Sequence, residues 1–445
     1  MPSSSSQLAP AGRPFTGSAR GRSALRTRGG HGGIGAVRVG LWSAVAAIIV
    51  VPILAIGWLA ATGGGWSELN DPAVAEAAIN SLVSASLSGA LAVLLGTLLA
   101  ILIERTDLPG RRILRLFALS PMLMPPFVGA IAWLSLLGPS SLVNRWWSDH
   151  FGAPLWNLYG GDGVVFLLTV HGFPIAMMIV GQALRRVPSD LEQAARIAGS
   201  SASRALWEVT VPLLRPVMLS SFTLIAVSNL ADFGIPAIIG LPERYTTLST
   251  LVYRYLQSGT VDDPLAVVAA IGFVLLVVAL IGVVVDLLRA RTRVELDAQA
   301  AAPARLPLGR ARIPLAIVTA TLVLALTLLP LITLTAQSLL PAPGVPLSLE
   351  TITLASFERA LTASGTLTGV ANSVMLATLA AIICGVLGLA VGTLVTRTRS
   401  RDNAGLLGLA LLPQAIPGLV IAVAWLVIAP RIGLYNTPWI ILCAY

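Results

Sequence analysis

Residues 264–288 read PLAVVAAIGFVLLVVALIGVVVDLL, a 25-residue run that contains a single charged side chain, Asp286. Folded as an α-helix, this run is long enough to cross about 30 Å of hydrocarbon. The composition of the whole chain agrees, because 56% of its 445 residues are hydrophobic and only 11% are charged. The sequence therefore predicts a protein whose main solvent is lipid.

Apolar stretches of similar length lie on both sides of this run, and together they predict an all-α, polytopic transmembrane bundle. We expect nine complete spans and the beginning of a tenth. The predicted spans are 41–61, 77–103, 113–137, 164–184, 217–240, 264–288, 313–339, 367–395 and 406–429, and the tenth begins at 439–445.

The basic residues predict how this bundle is oriented. All 29 are arginine, and if the N-terminus is cytoplasmic, 24 of them fall in cytoplasmic segments. Such an excess in short loops follows the positive-inside rule. The net charge of +9 therefore indicates the orientation of a multi-pass membrane protein, and we expect no nucleic-acid partner.

An internal repeat runs through the chain at a constant offset of 292 residues. Asn80-Ser81 in the second predicted span recurs as Asn372-Ser373 in the eighth. The same offset relates Leu95-Gly96 to Leu387-Gly388, Arg105-Thr106 to Arg397-Thr398, Pro121 and Pro125 to Pro413 and Pro417, and Ala132-Trp133-Leu134 to Ala424-Trp425-Leu426. Because these spans are six apart, both copies enter the membrane in the same direction. A parallel repeat predicts two similar units around a shared pathway, whereas many secondary carriers use inverted repeats.

The repeat and the charge pattern divide the chain into four predicted parts. Residues 1–37 form a disordered basic cytoplasmic tail, 38–290 a first six-span domain, 291–312 a cytoplasmic linker, and 313–445 a second domain that stops after about three and a half spans. Cys384 and Cys443 lie in apolar stretches and indicate neither a disulfide framework nor a metal site.

Residues 185–216, RRVPSDLEQAARIAGSSASRALWEVTVPLLRP, are too long and polar for a tight membrane turn, and we call them the 185–216 loop. The pattern predicts a helix start capped by Ser189 or Asp190, a break at Gly199, a second helix over 203–209, and its termination by Pro212 and Pro216. Two interpretations are open. The loop can dock on another protein through its small residues and Trp207, or it can lie on the headgroups as an amphipathic helix.

Part of this loop resembles a known motif. Gln193-Ala194-Ala195, Gly199, Val209, Val211 and Pro212 have the spacing of the EAA loop found in binding-protein-dependent ABC importer permeases. Gln193 replaces the usual glutamate of that motif, and Glu192 directly precedes it. The resemblance therefore implies that Glu192 supplies the carboxylate contact to the ATPase. The motif and the predicted anchor Trp207 together give the residues expected to couple the loop to the ATPase. These are Glu192, Gln193, Ala194, Ala195, Gly199, Trp207, Val209 and Pro212.

The duplicated organisation is similar to that of fused permeases for ferric iron, thiamine, polyamines and aminoethylphosphonate, and residues 231–237, ADFGIPA, resemble the iron-type pattern. The family resemblance implies two partners, a pair of ABC ATPase subunits and an extracytoplasmic substrate-binding protein that delivers ferric iron. It also implies that the membrane is the bacterial inner membrane. ATP would be hydrolysed on the ATPase, so the chain itself is expected to be no enzyme and to hold no cofactor. At the repeat offset, a second EAA loop falls near position 485, so we expect that this 445-residue product does not transport alone.

Asp232 is the acidic residue predicted to lie well inside a span, and an intramembrane carboxylate is a candidate for the substrate path. Alternatively, it is hydrated or caps a helix where Phe233, Gly234 and Pro236 break the span. His150 and His171 are isolated, so we predict no metal site. An ion-gradient-driven secondary transporter is the main competing function, and a membrane-embedded enzyme is a third.

Overall fold

The computed structural model describes residues 30–259, 261–290, 305–342, 345, 348–398, 400 and 402–444. Within these residues every named element is a helix, and the isolated bridge between Thr106 and Leu306 belongs to no strand. The predicted all-α class is therefore confirmed.

The helices follow one another without a long unstructured interruption in the described parts of the chain. The first six are α1 Gly30–Thr62, α2 Pro72–Arg105, α3 Arg111–Leu119, α4 Pro126–Leu137, α5 Leu142–Phe151 and α6 Gly161–Leu184. The next five are α7 Ser189–Ile197, α8 Ala202–Ala205, α9 Val211–Leu230, α10 Leu248–Ser258 and α11 Pro264–Ala290. The last six are α12 Arg312–Ser338, α13 Ala355–Thr362, α14 Ser364–Arg397, α15 Asn403–Leu411, α16 Gly418–Ile428 and α17 Pro438–Ala444.

Eight helical stretches among the described residues are long and apolar enough to cross a membrane. They are Gly35–Thr62, Pro72–Arg105, Pro126–Phe151, Gly161–Leu184, Ala202–Leu230, Pro264–Asp286, Gly309–Ser338 and Ser364–Arg397. The chain is therefore a multi-pass membrane protein. Nine complete spans were predicted, but the ninth, 406–429, is not one helix and retains only the shorter apolar stretch Gly418–Ile432.

Proline explains why two predicted spans are broken at the same place in the repeat. A 3₁₀ turn at Ser120–Leu123 separates α3 from α4, and an equivalent turn at Leu412–Ala415 separates α15 from α16. Pro121 and Pro125, like Pro413 and Pro417, lack the backbone N–H that a continuing helix requires. A run of apolar residues thus predicts membrane depth here but not helix continuity.

The helix boundaries repeat at the same offset as the sequence. Both α2 and α14 begin and end 292 positions apart, at Pro72 and Ser364 and at Arg105 and Arg397. Both α3 and α15 also begin and end 292 positions apart. The two copies therefore share local structure as well as residues.

The first helix of each copy packs against the other copy. α1 contacts α15 and α16 as well as α11, while α12 contacts α3 and α4. The core of the first copy is formed by α2 between α6 and α9. Gly96 lies so close to α6 that an added Cβ would be 2.6 Å from the carbonyl oxygen of Phe173. Small residues allow this close approach of two membrane helices.

Most of the predicted tail and linker lies outside the described residues, namely 1–29 and 291–304. Where the tail is described, at 30–37, it is part of α1 rather than disordered. Once a helix has been nucleated by the apolar span, each added residue gains a backbone hydrogen bond, so the helix extends into the flanking sequence. The division into domains stays a prediction.

Candidate functional site

The 185–216 loop contains the two short helices that its sequence predicts, α7 and α8, separated at Gly199. Gly199 has φ +97°, a left-handed conformation that favours glycine. Its N–H donates to the carbonyl of Arg196, and the N–H of Ser200 donates to the carbonyl of Ala195, each at 3.0 Å. These two bonds form a Schellman motif, which ends α7 and redirects the chain.

The start of each short helix differs from the prediction. Pro188 occupies the N-cap of α7, and neither Ser189 nor Asp190 caps it through a side chain. Ser201 caps α8 instead, because its Oγ accepts a hydrogen bond from the N–H of Arg204 at 3.3 Å. The missing N–H of Pro188 breaks no helical hydrogen bond, because the first backbone N–H groups of a helix have no acceptor within the helix.

The predicted end of the second helix at Pro212 and Pro216 is wrong. α8 continues through a π-helical turn at Leu206–Thr210 into α9, which runs on to Leu230. Pro212 lies in the first turn of α9, directly after the wide turn, where the hydrogen-bond register changes and its missing N–H is tolerated. The loop is therefore continuous with a membrane span.

Glu192 points into the protein. It is only 8% exposed, and both of its carboxylate oxygens accept from Nη2 of Arg105, Oε1 at 2.7 Å and Oε2 at 2.6 Å. The hydroxyl of Thr210 also donates to Oε1. Arg105 is the last residue of α2 and is 2% exposed, so this ion pair is buried.

The ion pair changes the role expected for Glu192. Its carboxylate was expected to contact another subunit, but both oxygens bind groups of this chain. Removing one partner of a buried pair leaves an uncompensated charge, which is more costly than losing a surface contact. Glu192 thus connects α7 to the end of α2 and, through Thr210, to the turn that leads into α9.

The opposite side of the 185–216 loop is open. Gln193 and Ala194 are exposed, Ala195 is half-buried, and Trp207 is 53% exposed. Ile197 is 89% exposed and Leu191 44%. An exposed tryptophan and exposed aliphatic side chains within one loop have the composition that protein interfaces favour.

Val209 and Pro212 are half-buried and belong to the supporting side of the loop, while Leu206 and Ala205 are buried. The predicted coupling residues therefore divide into two groups. The exposed group is Gln193, Ala194, Gly199 and Trp207, and the buried or half-buried group is Glu192, Ala195, Val209 and Pro212.

Asp232 lies beyond the end of α9 and not within a continuous span. Its Oδ1 accepts from the N–H of Ile235 at 2.9 Å, and its carbonyl accepts from the hydroxyl of Ser249 at 2.7 Å. A cavity of about 420 Å³ separates the two copies nearby, and its lining includes Phe233 and Ser249 but not Asp232. The carboxylate thus stabilises the turn between α9 and the π-helical segment Pro236–Gly240.

Arg105 and Thr210 belong to the site but were not predicted as site residues from the sequence. Arg105 did appear in the repeated Arg-Thr pair, but nothing in its neighbours indicates a partner 87 positions away. Thr210 lies between the two motif valines and has no sequence signal of its own. Among the described residues, no group of three or more histidine, cysteine or acidic side chains could hold a metal ion.

Comparison with known proteins agrees with the geometry. Residues 92–294 match the profile of a family described as the binding-protein-dependent transport system inner membrane component. This range includes α6, the whole 185–216 loop and α9.

Three relatives illustrate the range of similarity. A ferric transport system permease protein of Haemophilus influenzae is 28% identical over 202 residues, which cover 45% of this chain and 31% of the relative. A molybdenum transport system permease protein of Mycobacterium bovis is 29% identical over 256 residues, 57% of this chain and 94% of the relative. A molybdenum ABC transporter permease protein of Haloferax volcanii is 30% identical over 236 residues, 52% of this chain and 84% of the relative.

The matched region thus spans about a third of the ferric relatives, 31% and 29% of the first two, but most of the molybdenum relatives, which are shorter. The residues matched by the family profile, 92–294, contain the exposed loop and its buried anchor, Glu192 and Arg105. The chain belongs to the family of binding-protein-dependent transport system inner membrane components.

Proposed function

We propose that this chain is the membrane-spanning permease subunit of an ATP-driven ABC importer. The observation that carries this proposal is the two-sided structure of the 185–216 loop. One side exposes Trp207 and Ile197, while the other is fixed to the bundle by the buried pair of Glu192 and Arg105. A surface loop that only lay on lipid headgroups would not require a buried ion pair to a membrane helix.

The anchor supplies a path for mechanical coupling. Displacing α7 moves Glu192, and Glu192 holds the last residue of α2. α8 continues directly into α9, so the same displacement reaches a second helix. Nδ2 of Asn229 on α9 donates to Oγ of Ser88 on α2 at 2.8 Å. We infer that α2 and α9 respond together when a partner moves the loop.

The proposed partners follow from this arrangement. An ABC ATPase dimer docks on the exposed side of the loop and hydrolyses ATP, and an extracytoplasmic binding protein delivers substrate on the opposite face. The arginine-rich end of the bundle lies in the cytoplasm, as does the N-terminus, which agrees with the positive-inside rule for a bacterial inner membrane.

For the cargo, we propose ferric iron first. Two relatives are described as ferric transport system permease proteins, and residues 231–237 resemble the iron-type pattern. Molybdenum is the second candidate, because the match to two molybdenum relatives includes 94% and 84% of their length. The proposed path follows the cavity between the two copies. Asp232 lies beside this cavity, and its backbone carbonyl accepts a hydrogen bond from the hydroxyl of Ser249, which lines the cavity.

The deciding experiment is uptake into proteoliposomes that contain the chain with its ATPase, its binding protein and a permease chain that carries a second EAA loop, because the chain is not expected to transport alone. Radioactive ferric ion and molybdate are supplied separately. The expected result is uptake that depends on ATP, is inhibited by vanadate and is not changed by ionophores. The isotope that accumulates inside the vesicles identifies the cargo. Uptake that needs no ATP and stops when an ion gradient is collapsed would favour a secondary transporter instead.

Docking is tested separately with Trp207→Ala. An aromatic anchor at the centre of an interface contributes about 2 kcal/mol or more, so we expect about 30-fold weaker association with the ATPase. Trp146→Ala is the matched control, because Trp146 is similarly exposed at 56% but lies outside the loop. Equal association of both variants would contradict docking through this surface.

A further inference from the structure

A charged cavity of about 330 Å³ lies where α2 ends, α3 begins and α6 ends. Six arginines and one carboxylate line it, together with one leucine. The lining residues are Glu104, Arg105, Arg111, Arg112, Arg115, Leu184, Arg185 and Arg305.

The arginines are only partly compensated. Glu104 forms ion pairs with Arg115 and with Arg185, the latter at 2.9 Å. Among the described residues, Arg111, Arg112 and Arg305 form no hydrogen bond or ion pair of their side chains. Burial and the neighbouring guanidinium groups of Arg305 and Arg112 lower the pKa of Arg111. The cavity therefore has a surplus of positive charge.

Arg105 adds a second, independent sign of a missing ligand. Its side chain is 2% exposed, and while Nη2 binds Glu192, its Nε and Nη1 are buried without a hydrogen-bond partner in the described structure. Unpaired buried donors are costly in free energy, and they are usually satisfied by water or by a bound group.

The cavity is built by specific backbone contacts. The N–H of Leu306 donates to the carbonyl of Arg105 at 2.7 Å, and the N–H of Leu308 donates to Oδ1 of Asp107 at 2.9 Å. These bonds hold Arg305 against the end of α2. Gly110, at φ +72°, is the N-cap of α3, so Arg111 and Arg112 occupy the first turn, where the helix dipole favours an anion.

A second cavity of about 340 Å³ adjoins the first and shares Glu104, Arg115 and Arg185 with it. Its remaining lining is mainly apolar and lies along α2, α3 and α6. These residues are Ala100, Ile103, Leu119, Met177, Met178, Gly181 and Gln182. An anion site thus continues into an apolar groove of a membrane protein.

We propose that the two adjoining cavities bind one anionic phospholipid, with its phosphate among the arginines and an acyl chain along the groove. Guanidinium groups bind phosphate oxygens through charge-assisted, bidentate hydrogen bonds. Basic pockets between membrane helices at the cytoplasmic side are suited to anionic lipid headgroups. A free oxyanion has the same headgroup chemistry but makes no use of the apolar groove.

The test uses native mass spectrometry of the purified chain with phosphatidylglycerol and, for comparison, phosphatidylcholine. The variant Arg111→Gln/Arg112→Gln removes two cavity arginines that have no side-chain partner, so the fold is not expected to depend on them. Each arginine near an anionic headgroup contributes about fivefold to affinity, so the double variant should bind phosphatidylglycerol about 25-fold more weakly. The matched control, Arg186→Gln/Arg310→Gln, removes two exposed arginines from the same end of the bundle that do not line either cavity.

Gly181→Leu tests the groove. A Cβ at Gly181 would lie 3.6 Å from Cγ of Glu104, an ordinary contact, and the longer side chain would fill the groove from its wall. The expected result is that Gly181→Leu loses binding of phosphatidylglycerol but still binds soluble glycerol phosphate. Equal losses in the cavity and control double variants, or no loss in either, would overturn the site. Full displacement of the lipid by inorganic phosphate, with no effect of Gly181→Leu, would assign the cavity to a soluble oxyanion.

Discussion

α2 and α14 have the same length, the same boundaries at the 292-residue offset and the same final Arg-Thr pair, yet their surroundings differ. In α2, 56% of the apolar window is buried, against 11% in α14. Arg105 is buried and paired with Glu192, whereas Arg397 is exposed and has no side-chain bond to a described residue. The two helices therefore distinguish structure that a segment forms by itself, such as its length and ends, from structure that depends on packing against other helices.

The local part is visible at the helix ends. Thr106 and Thr398 both donate their hydroxyl to the carbonyl four residues earlier, at Leu102 and Leu394. This bond requires only the segment itself and recurs in both copies. The ion pair is different because it requires the 185–216 loop, whose Glu192 binds the end of α2 in the first copy. Three substitutions distinguish these contributions.

The largest effect is expected for Glu192→Ala. It leaves Arg105 buried without its partner, which should destabilise the folded protein by about 3 kcal/mol and release α7 from the end of α2. Thermal unfolding in detergent and hydrogen exchange in residues 185–216 measure the two effects. Arg397→Ala, at the equivalent end of α14, is the control and should change stability by less than about 0.5 kcal/mol. If both substitutions had the same small effect, Glu192 would not be an anchor.

A smaller effect is expected for Gly96→Ala. The added Cβ would lie 2.6 Å from the carbonyl oxygen of Phe173, and because backbone cannot swing aside, α2 and α6 must separate, at a cost of about 2 kcal/mol. Gly388→Ala is the matched change in α14, where nothing lies within 4 Å of the new Cβ. Alanine is the better helix former, so this second variant should be stabilised by about 0.5 kcal/mol. Thermal unfolding of the pair measures the difference, and equal shifts would show that α2 and α6 are not in close contact.

These pairs also show how much could be predicted from the sequence. Apolar runs predicted where membrane helices lie, because burial in lipid depends on composition over about 20 residues. Gly199 predicted the break between α7 and α8, because a left-handed turn needs a residue without a Cβ. Such features are decided by residues adjacent in the chain.

What the sequence did not predict depends on residues that are distant in the chain. The direction of Glu192 is set by Arg105, 87 positions earlier, and no periodicity in α7 distinguishes an inward carboxylate from an outward one. Pro212 and Pro216 were expected to end a helix. The π-helical turn at Leu206–Thr210 instead shifts the backbone hydrogen-bond pattern, so that the helix continues past Pro212. In the third and ninth predicted spans, by contrast, prolines do interrupt the helix, although the apolar composition of both stretches was predicted correctly.

The smallest of the three effects is expected for Gly199→Ala, and it isolates backbone geometry from packing. No atom lies within 4 Å of the added Cβ, so the only penalty is the φ of +97°, which costs an alanine about 1 kcal/mol. Gly385→Ala in α14 also meets no atom within 4 Å but has an ordinary helical backbone, so it should be neutral or slightly stabilising. Hydrogen exchange should increase in α7 and α8 while the core of α2, α6 and α9 stays protected. An increase that spread into α2 would show that the Schellman turn at Gly199, and not only the Glu192–Arg105 pair, holds the loop against the bundle.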